Sequence, residues 1–191
     1  MIRHADPARD ALACAAVYAP YVRAGVASLE EAAPGELEMA QRIERSSRTH
    51  AWLVAEVDGV IAGYAYGSEH HVRASYRWTA DVTVYIDAAR HRRGIGRALY
   101  AALFELLARQ GYYVLCAGVT LPNEASVALH ESMGFTPVGV YRRVGYKHGR
   151  WWDVGWWQLE LREPGPGPPA DPGPPVRLAA GGGRAGDQAG R

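Results

Sequence analysis

The run from Asp81 to Gly111 limits the fold more than any other part of the chain. Val82, Val84 and Ile86 alternate with Asp81, Thr83 and Tyr85, so on a strand the two sets face opposite sides of a sheet. RHRRGIGRALY, Arg90 to Tyr100, then packs four arginines and two glycines into eleven residues. From Gly94 onward Ile95, Leu99, Ala102 or Leu103, and Leu106 fall on one helical stripe; Glu105 and Arg109 stand one turn apart, and Gly111 suits a stop. The β-rich run YYVLCAGV follows. Strand, helix and strand in that order suggest a parallel crossover, right-handed by default.

The turn between strand and helix poses a question about ligands. A helix N-terminus presents unpaired N–H groups and the positive end of its dipole; glycines there admit a pyrophosphate and arginines neutralise it. Three readings compete: a cofactor-phosphate loop, a basic patch for nucleic acid, and the solvated start of a surface helix. Taken alone, the last is at least as common as the first. The dinucleotide fingerprint fits poorly, because Leu99 stands where glycine or alanine allows close packing, and no Walker A loop is present. Charge argues against nucleic acid. The formal net charge is +1, and the tail from Pro164 holds three arginines against two aspartates, which leaves the rest neutral. Glu30, Glu31, Glu36, Glu38 and Glu44 offset the clustered arginines, so a small local anion fits better.

The 191 residues, 48% hydrophobic and 21% charged, suit one soluble globular domain. That domain is expected over residues 1–162. Residues 163–191 read as a disordered Pro/Gly-rich tail: from Pro164 on, seven of the 12 prolines and eight of the 22 glycines come without one aromatic side chain. Helical spacing marks Asp10–Arg23 and Gly35–Ser47. WLVAEV and VIAGYAYG flank Asp58-Gly59, a dipeptide suited to a tight hairpin. A short helix is expected between Asn123 as cap and Gly134 as stop, and two runs, near Val138–Tyr146 and Trp152–Leu161, flank KHGR as a last hairpin. The sum is a mixed α/β fold around one mainly antiparallel sheet with a central parallel crossover.

Cys14 and Cys116 lie far apart with no CxxC, and no His/Cys cluster has zinc spacing, so neither a disulfide framework nor a metal site is expected. His70 and His71 would point to opposite faces if they lay on a strand. MIRHADPARD is too polar for a signal peptide, and no apolar run approaches the ~20 residues of a membrane span; the expected location is cytoplasmic.

Three blocks, VYIDAARHRRGIGRALY, LPNEASVALHESMGF and GYKHGRWWDVGWWQLEL, together resemble the GNAT superfamily of N-acetyltransferases, and within it the phosphinothricin N-acetyltransferases, over roughly residues 1–162. The resemblance implies helices on both faces of the sheet. It also implies that Arg92, Arg93, Gly94, Ile95, Gly96 and Arg97 hold the pyrophosphate of acetyl-coenzyme A, with Val84, Tyr85 and Ile86 alongside and Asn123 in a secondary role; no metal is implied. His91 departs from the family's glutamine or arginine, leaving a weaker, pH-dependent donor.

Acetyl transfer to an amine needs a base, since a typical amine is protonated near neutrality. Asp81 is the candidate, at a position where the resembling family carries a carboxylate, usually glutamate. The shorter aspartate reaches an amine through a water. By residues alone, a solvated aspartate at a strand start is the preferred reading. His130 matches the group beside the leaving thiolate and is open between acid, base and orienter; the bland alternative is a half-buried histidine bonded to a carbonyl. A covalent acetyl-thioenzyme at Cys116 is disfavoured, because the thiol lies in an apolar run with no basic neighbour evident.

HHVRASYRW precedes Asp81 and carries cationic and phenolic groups suited to an acidic amino acid. By the resemblance Arg73 and Tyr76 hold the acidic end of the substrate. His71 replaces a lysine, and Leu29 an aromatic residue. Phosphinothricin, methionine sulfoximine and methionine sulfone are the substrate types implied, and a homodimer is the expected assembly, with Trp151, Trp152, Trp156 and Trp157 split between core and outer face. The rival classes are a non-catalytic acyl-coenzyme A sensor on the same fold and a nucleic-acid module.

Overall fold

The computed structural model describes residues 1–178. In chain order the elements are β1 (Ile2–His4), α1 (Pro7–Arg23), α2 (Glu36–Ser47), β2 (Trp52–Val57), β3 (Val60–Glu69), β4 (Thr79–Ile86), α3 (Ile95–Gln110), β5 (Val114–Leu121), α4 (Glu124–Ser132), β6 (Thr136–Lys147) and β7 (Arg150–Glu160). They build one seven-stranded sheet, ordered β1-β2-β3-β4-β5-β7-β6. Only the β4–β5 pair, joined through α3, is parallel.

Alternation along the strands divides the core in two. Leu53 and Ala55 of β2, with Val82 of β4, pack beneath Leu99, Leu103, Leu106 and Leu107 of α3. Trp52 and Val54 point the other way, toward Cys14, Val17 and Val22 of α1 and Met39 and Ile43 of α2. Each face thus buries one helical layer, as a two-sided sheet requires. The four α3 leucines are essentially inaccessible to solvent, and truncating one to alanine costs about 2–5 kcal/mol.

Turn chemistry follows the sequence. Asp58-Gly59 and His148-Gly149 both have positive φ (54° and 75°, then 50° and 77°), the geometry of two-residue hairpins whose twist matches the strands. α1 starts earlier than its apolar pattern: the Asp6 carboxylate accepts from the N–H groups of Ala8 and Arg9 (2.9 and 3.3 Å), and Pro7 opens the helix. His70 and His71 are not on a strand, since β3 ends at Glu69. Both belong to the loop before β4 and flank Tyr76, with ring centroids 6.0 and 4.8 Å away.

Residues 164–178 form no helix or strand, but they do not hang free. Trp78 Nε1 donates to the Ala170 carbonyl (2.9 Å), Gly173 exchanges hydrogen bonds with Gln110 (2.7 and 3.0 Å), and Val176 and Leu178 pack on the α3-side core. The rest of the expected tail, residues 179–191, lies outside the described residues.

Candidate active site

The sheet opens at its centre. β4 and β5 pair only through Thr79↔Val114, Ala80↔Leu115 and Asp81↔Cys116, although β4 runs on to Ile86 and β5 to Leu121. Over that stretch each strand keeps its outer partner: β4 stays bonded to β3 as far as Ile86, and β5 to β7 as far as Leu121. A cleft of ≈ 590 Å³ fills the gap, walled by Val82–Ile86 on one side and Gly118–Thr120 on the other. The start of α3 stands at one end, and α4 runs alongside.

At that end the backbone is the binding surface. Gly94 caps α3 in the left-handed region (φ 74°), Arg92 also has positive φ (59°), and no side chain caps the helix, so the first-turn N–H groups keep their donors for a ligand. Gly96 is a close-approach position: a Cβ there would meet Leu129 Cδ2 at 3.3 Å and Ile86 Cγ1 at 3.8 Å. Arg92, Ile95 and Arg97 line the cleft with the two glycines, and Arg97 is braced on α4 by donating to the Ser132 carbonyl (3.0 Å). Arg93 is exposed and lies outside the lining. His91 does more than substitute for a longer residue. Tyr21 donates its hydroxyl proton to the Ile86 carbonyl, so the His91 Nε2–H is the donor to Tyr21 Oη (2.8 Å) and to that same carbonyl (3.1 Å). This fixes the wall that joins α1 to β4.

Where β4 and β5 part, Asp81 accepts a hydrogen bond from His70 Nδ1 at 2.7 Å. Burial raises the Asp81 carboxyl above its ordinary value, and the His70 hydrogen bond partly opposes this. His70 is held edge-on against Trp156 of β7, centroids 5.9 Å apart. Cys116 Sγ lies within 4.8 Å of the polar atoms of both. Thus Cys116 does have a basic neighbour, contrary to the sequence expectation. Even so its thiol is not activated: burial first, and then Asp81, push it up to about 11.

Of the other candidate substrate residues, Tyr76 lies beside His70, with ring centroids 6.0 Å apart, and none of Leu29, His71, Arg73 and Tyr76 lines the cleft. Arg73 and Tyr76 are exposed; Tyr76 stacks on His71, whose Nδ1 accepts from the Arg73 N–H (3.2 Å). Leu29 packs on the bare backbone of Gly145 in β6, where any Cβ would collide with it. At the α4 end, Asn123 lines the cleft while its side chain accepts from the Ser126 N–H (3.1 Å). His130 is buried, and burial lowers its pKa. Its Nδ1–H donates to the Ser126 carbonyl (2.7 Å), which leaves Nε2 to accept from Tyr100 Oη (3.0 Å).

His70, Trp156, Tyr21 and Tyr100 were not singled out as site residues by sequence reasoning. Nor was Lys147, buried at the end of β6, whose Nζ donates to the carbonyls of Val22 and Ser28 (2.6 and 2.7 Å) and ties the α1–α2 loop to the sheet. A buried lysine carries no local sequence mark. The adjacency of His70 to Asp81 depends on β3–β4 pairing, in which Ser68 faces Asp81, and that register could have flagged it.

An open β4–β5 junction beside an uncapped, glycine-led helix defines a class, and residues 8–156 match the model of the Acetyltransferase (GNAT) domain. The chain belongs to this family. It is 44% identical over 130 residues to the phosphinothricin N-acetyltransferase of Streptomyces viridochromogenes, covering 68% of this chain and 71% of that protein. It is 39% identical over 111 residues to an L-methionine sulfoximine/L-methionine sulfone acetyltransferase of Salmonella typhimurium, covering 58% and 65%. A solved GNAT superfamily phosphinothricin acetyltransferase from Sinorhizobium meliloti, in complex with acetyl-coenzyme A, superposes with a TM-score of 0.84 at 32% identity, covering 89% of this chain and 92% of that one.

Proposed function

We propose that this acetyltransferase moves acetyl from acetyl-coenzyme A to the amine of a small amino-acid-like substrate of the phosphinothricin, methionine sulfoximine or methionine sulfone type, by direct attack. One observation carries the reading: the cleft runs from free N–H groups at the α3 N-terminus to Val82, where β4 and β5 part, and Asp81 is the last paired residue of β4, next to that lining. The residues suit acetyl-coenzyme A on this structure's own terms. Its diphosphate calls for N–H donors and cations, which Gly94 to Arg97 and Arg92 supply, and its thin pantetheine arm calls for a slot between strands whose edges are unpaired.

Asp81 acts as the general base, directly or through one water, and a carboxyl raised by burial is nearer the pH at which a base works efficiently. His70 orients that carboxylate through its 2.7 Å hydrogen bond. His130 has both ring nitrogens committed and is an orienter, so the departing thiolate, intrinsically a fair leaving group, takes its proton from water. Arg73 and Tyr76 meet the acidic end of the substrate, with His71 and Leu29 as neighbours.

The enzyme is cytoplasmic, where acetyl-coenzyme A is made and used, and no helix among the described residues is long and apolar enough to cross a membrane. It works as a homodimer through the exposed apolar side chains of the β6–β7 hairpin, among them Val138, Val140, Tyr141, Val144, Tyr146 and Trp151.

The test is thiol release from acetyl-coenzyme A with a panel of phosphinothricin, methionine sulfoximine, methionine sulfone, common amino acids and a polyamine. Release with the first three supports the reading. Release with polyamine alone overturns the roles of Arg73 and Tyr76, and coenzyme binding without release from any amine favours the sensor.

A further inference from the structure

The Asp81 environment contains one imidazole nitrogen, one carboxylate oxygen and one sulfur, all within 4.8 Å of one another. Two are fixed by backbone. Asp81 and Cys116 are register partners on the parallel strands β4 and β5, and His70 is held against Trp156. Together they leave a carboxylate and a thiol side by side with only one weak base between them. No lysine or arginine pairs with Asp81 or Cys116 among the described residues. The site lacks positive charge.

We infer that His70 Nδ1, Asp81 Oδ1 and Cys116 Sγ bind one divalent transition-metal ion of the zinc type, and that an ion held there stops acetyl transfer. The second half rests on Asp81 being the base. Nitrogen, oxygen and sulfur donors suit zinc or cobalt and not magnesium or calcium, which take six or more oxygens. Ligand atoms around one tetrahedral ion stand roughly 3.3–3.8 Å apart, so the longest separation in the triad, up to 4.8 Å, must shorten by about 1 Å while the 2.7 Å His70–Asp81 pair opens by roughly 0.6 Å, both side-chain adjustments. Three protein ligands leave a fourth position open to water, and the His70 and Asp81 side chains are 26% and 27% exposed, so an ion has a path in. On binding, the Cys116 S–H bond is replaced by a sulfur–metal bond, and the imidazole proton moves from Nδ1 to Nε2, which has no hydrogen-bond partner among the described residues. One proton is released per ion. The Asp81 lone pair then belongs to the metal and no longer accepts a proton from an amine.

The probe is cobalt(II) chloride, titrated into the purified full chain in a non-chelating buffer without added thiols. A near-ultraviolet thiolate-to-cobalt charge-transfer band saturating at one ion per chain is expected, bleached by zinc. The band should vanish in Cys116→Ala, and binding should weaken by at least about tenfold in His70→Ala. Absence of the band in the unmodified chain, or an unchanged band in Cys116→Ala, overturns the site whether or not either variant folds well. In a second arm, zinc should abolish thiol release with the active amine, and a chelator should restore it. A saturated cobalt band with undiminished transfer in zinc refutes the inhibitory half alone. Silence from every amine refutes the proposed function, and the cobalt titration still decides the site.

Discussion

The two ends of the cleft are made of different material. At the α3 end one continuous run, Val84 to Arg97, supplies nearly everything, and most of it is backbone: free N–H groups, a left-handed Gly94, and a Gly96 pressed between Leu129 and Ile86. At the Asp81 end the contributors come from the loop after β3 and from β4, β5 and β7, and they act through side chains. A surface that binds through N–H groups has to put glycine at set positions and so leaves a motif. One that binds through side chains needs only proximity in space, and leaves scattered letters.

The sharpest way to separate the ends is Asp81→Asn. It should lower kcat by about 10²–10⁴-fold while the dissociation constant for acetyl-coenzyme A, measured by titration calorimetry, stays within about twofold. An equal loss in both would mean that the ends are not independent. Gly94→Val should do the converse. Holding a β-branched residue at φ 74° costs about 1–3 kcal/mol; a free loop that relaxes to avoid this strain must take it up again on binding, so coenzyme affinity should fall by up to roughly 5–150-fold while kcat at saturating coenzyme changes little. Stability offers a check outside both ends. Buried His50, between Tyr112 and Thr49, has its pKa lowered to about 4 by burial, against 6.5 for an unperturbed imidazole. Below pH 6.5 the unfolded chain gains a proton that the folded chain refuses until about pH 4, so stability should fall across that window by up to about 3 kcal/mol. Urea midpoints against pH should show that slope, and His50→Gln should flatten it without moving the pH profile of kcat. The smallest effect is expected from Arg73→Ala, an exposed position. It should raise the KM for an acidic amine by about three- to tenfold and leave the KM for acetyl-coenzyme A alone.

Periodicity and turn chemistry carry most of the fold: the Asp58-Gly59 and His148-Gly149 hairpins, the α3 stripe and the parallel crossover all stand where the residues put them. β1 escapes because three residues hold no period. It exists through partners far away in sequence, with Arg3 forking onto Asp10 (2.6 and 2.8 Å) and onto Glu56. The segment 164–178 lacks the apolar residues of a core and still docks, because hydrogen bonds from Trp78 and Gln110 to its carbonyls, and a Gly173 N–H in return, take up polar groups already on the surface. In the site, Gly94, Gly96 and Asp81 are legible from strand and helix order together with the resemblance. His70 is not, since reading it on a strand aims it away from His71 and hides its turn back toward Asp81.

The central claim is that one cleft brings a coenzyme held by backbone to an amine served by Asp81. A crystal structure with coenzyme A and the amine that releases most thiol tests it directly. The account predicts the diphosphate on the N–H groups of Gly94 to Arg97, and the amine nitrogen hydrogen-bonded to Asp81 directly or through one water. A diphosphate elsewhere, or an amine with no hydrogen-bonded path to Asp81, would contradict it.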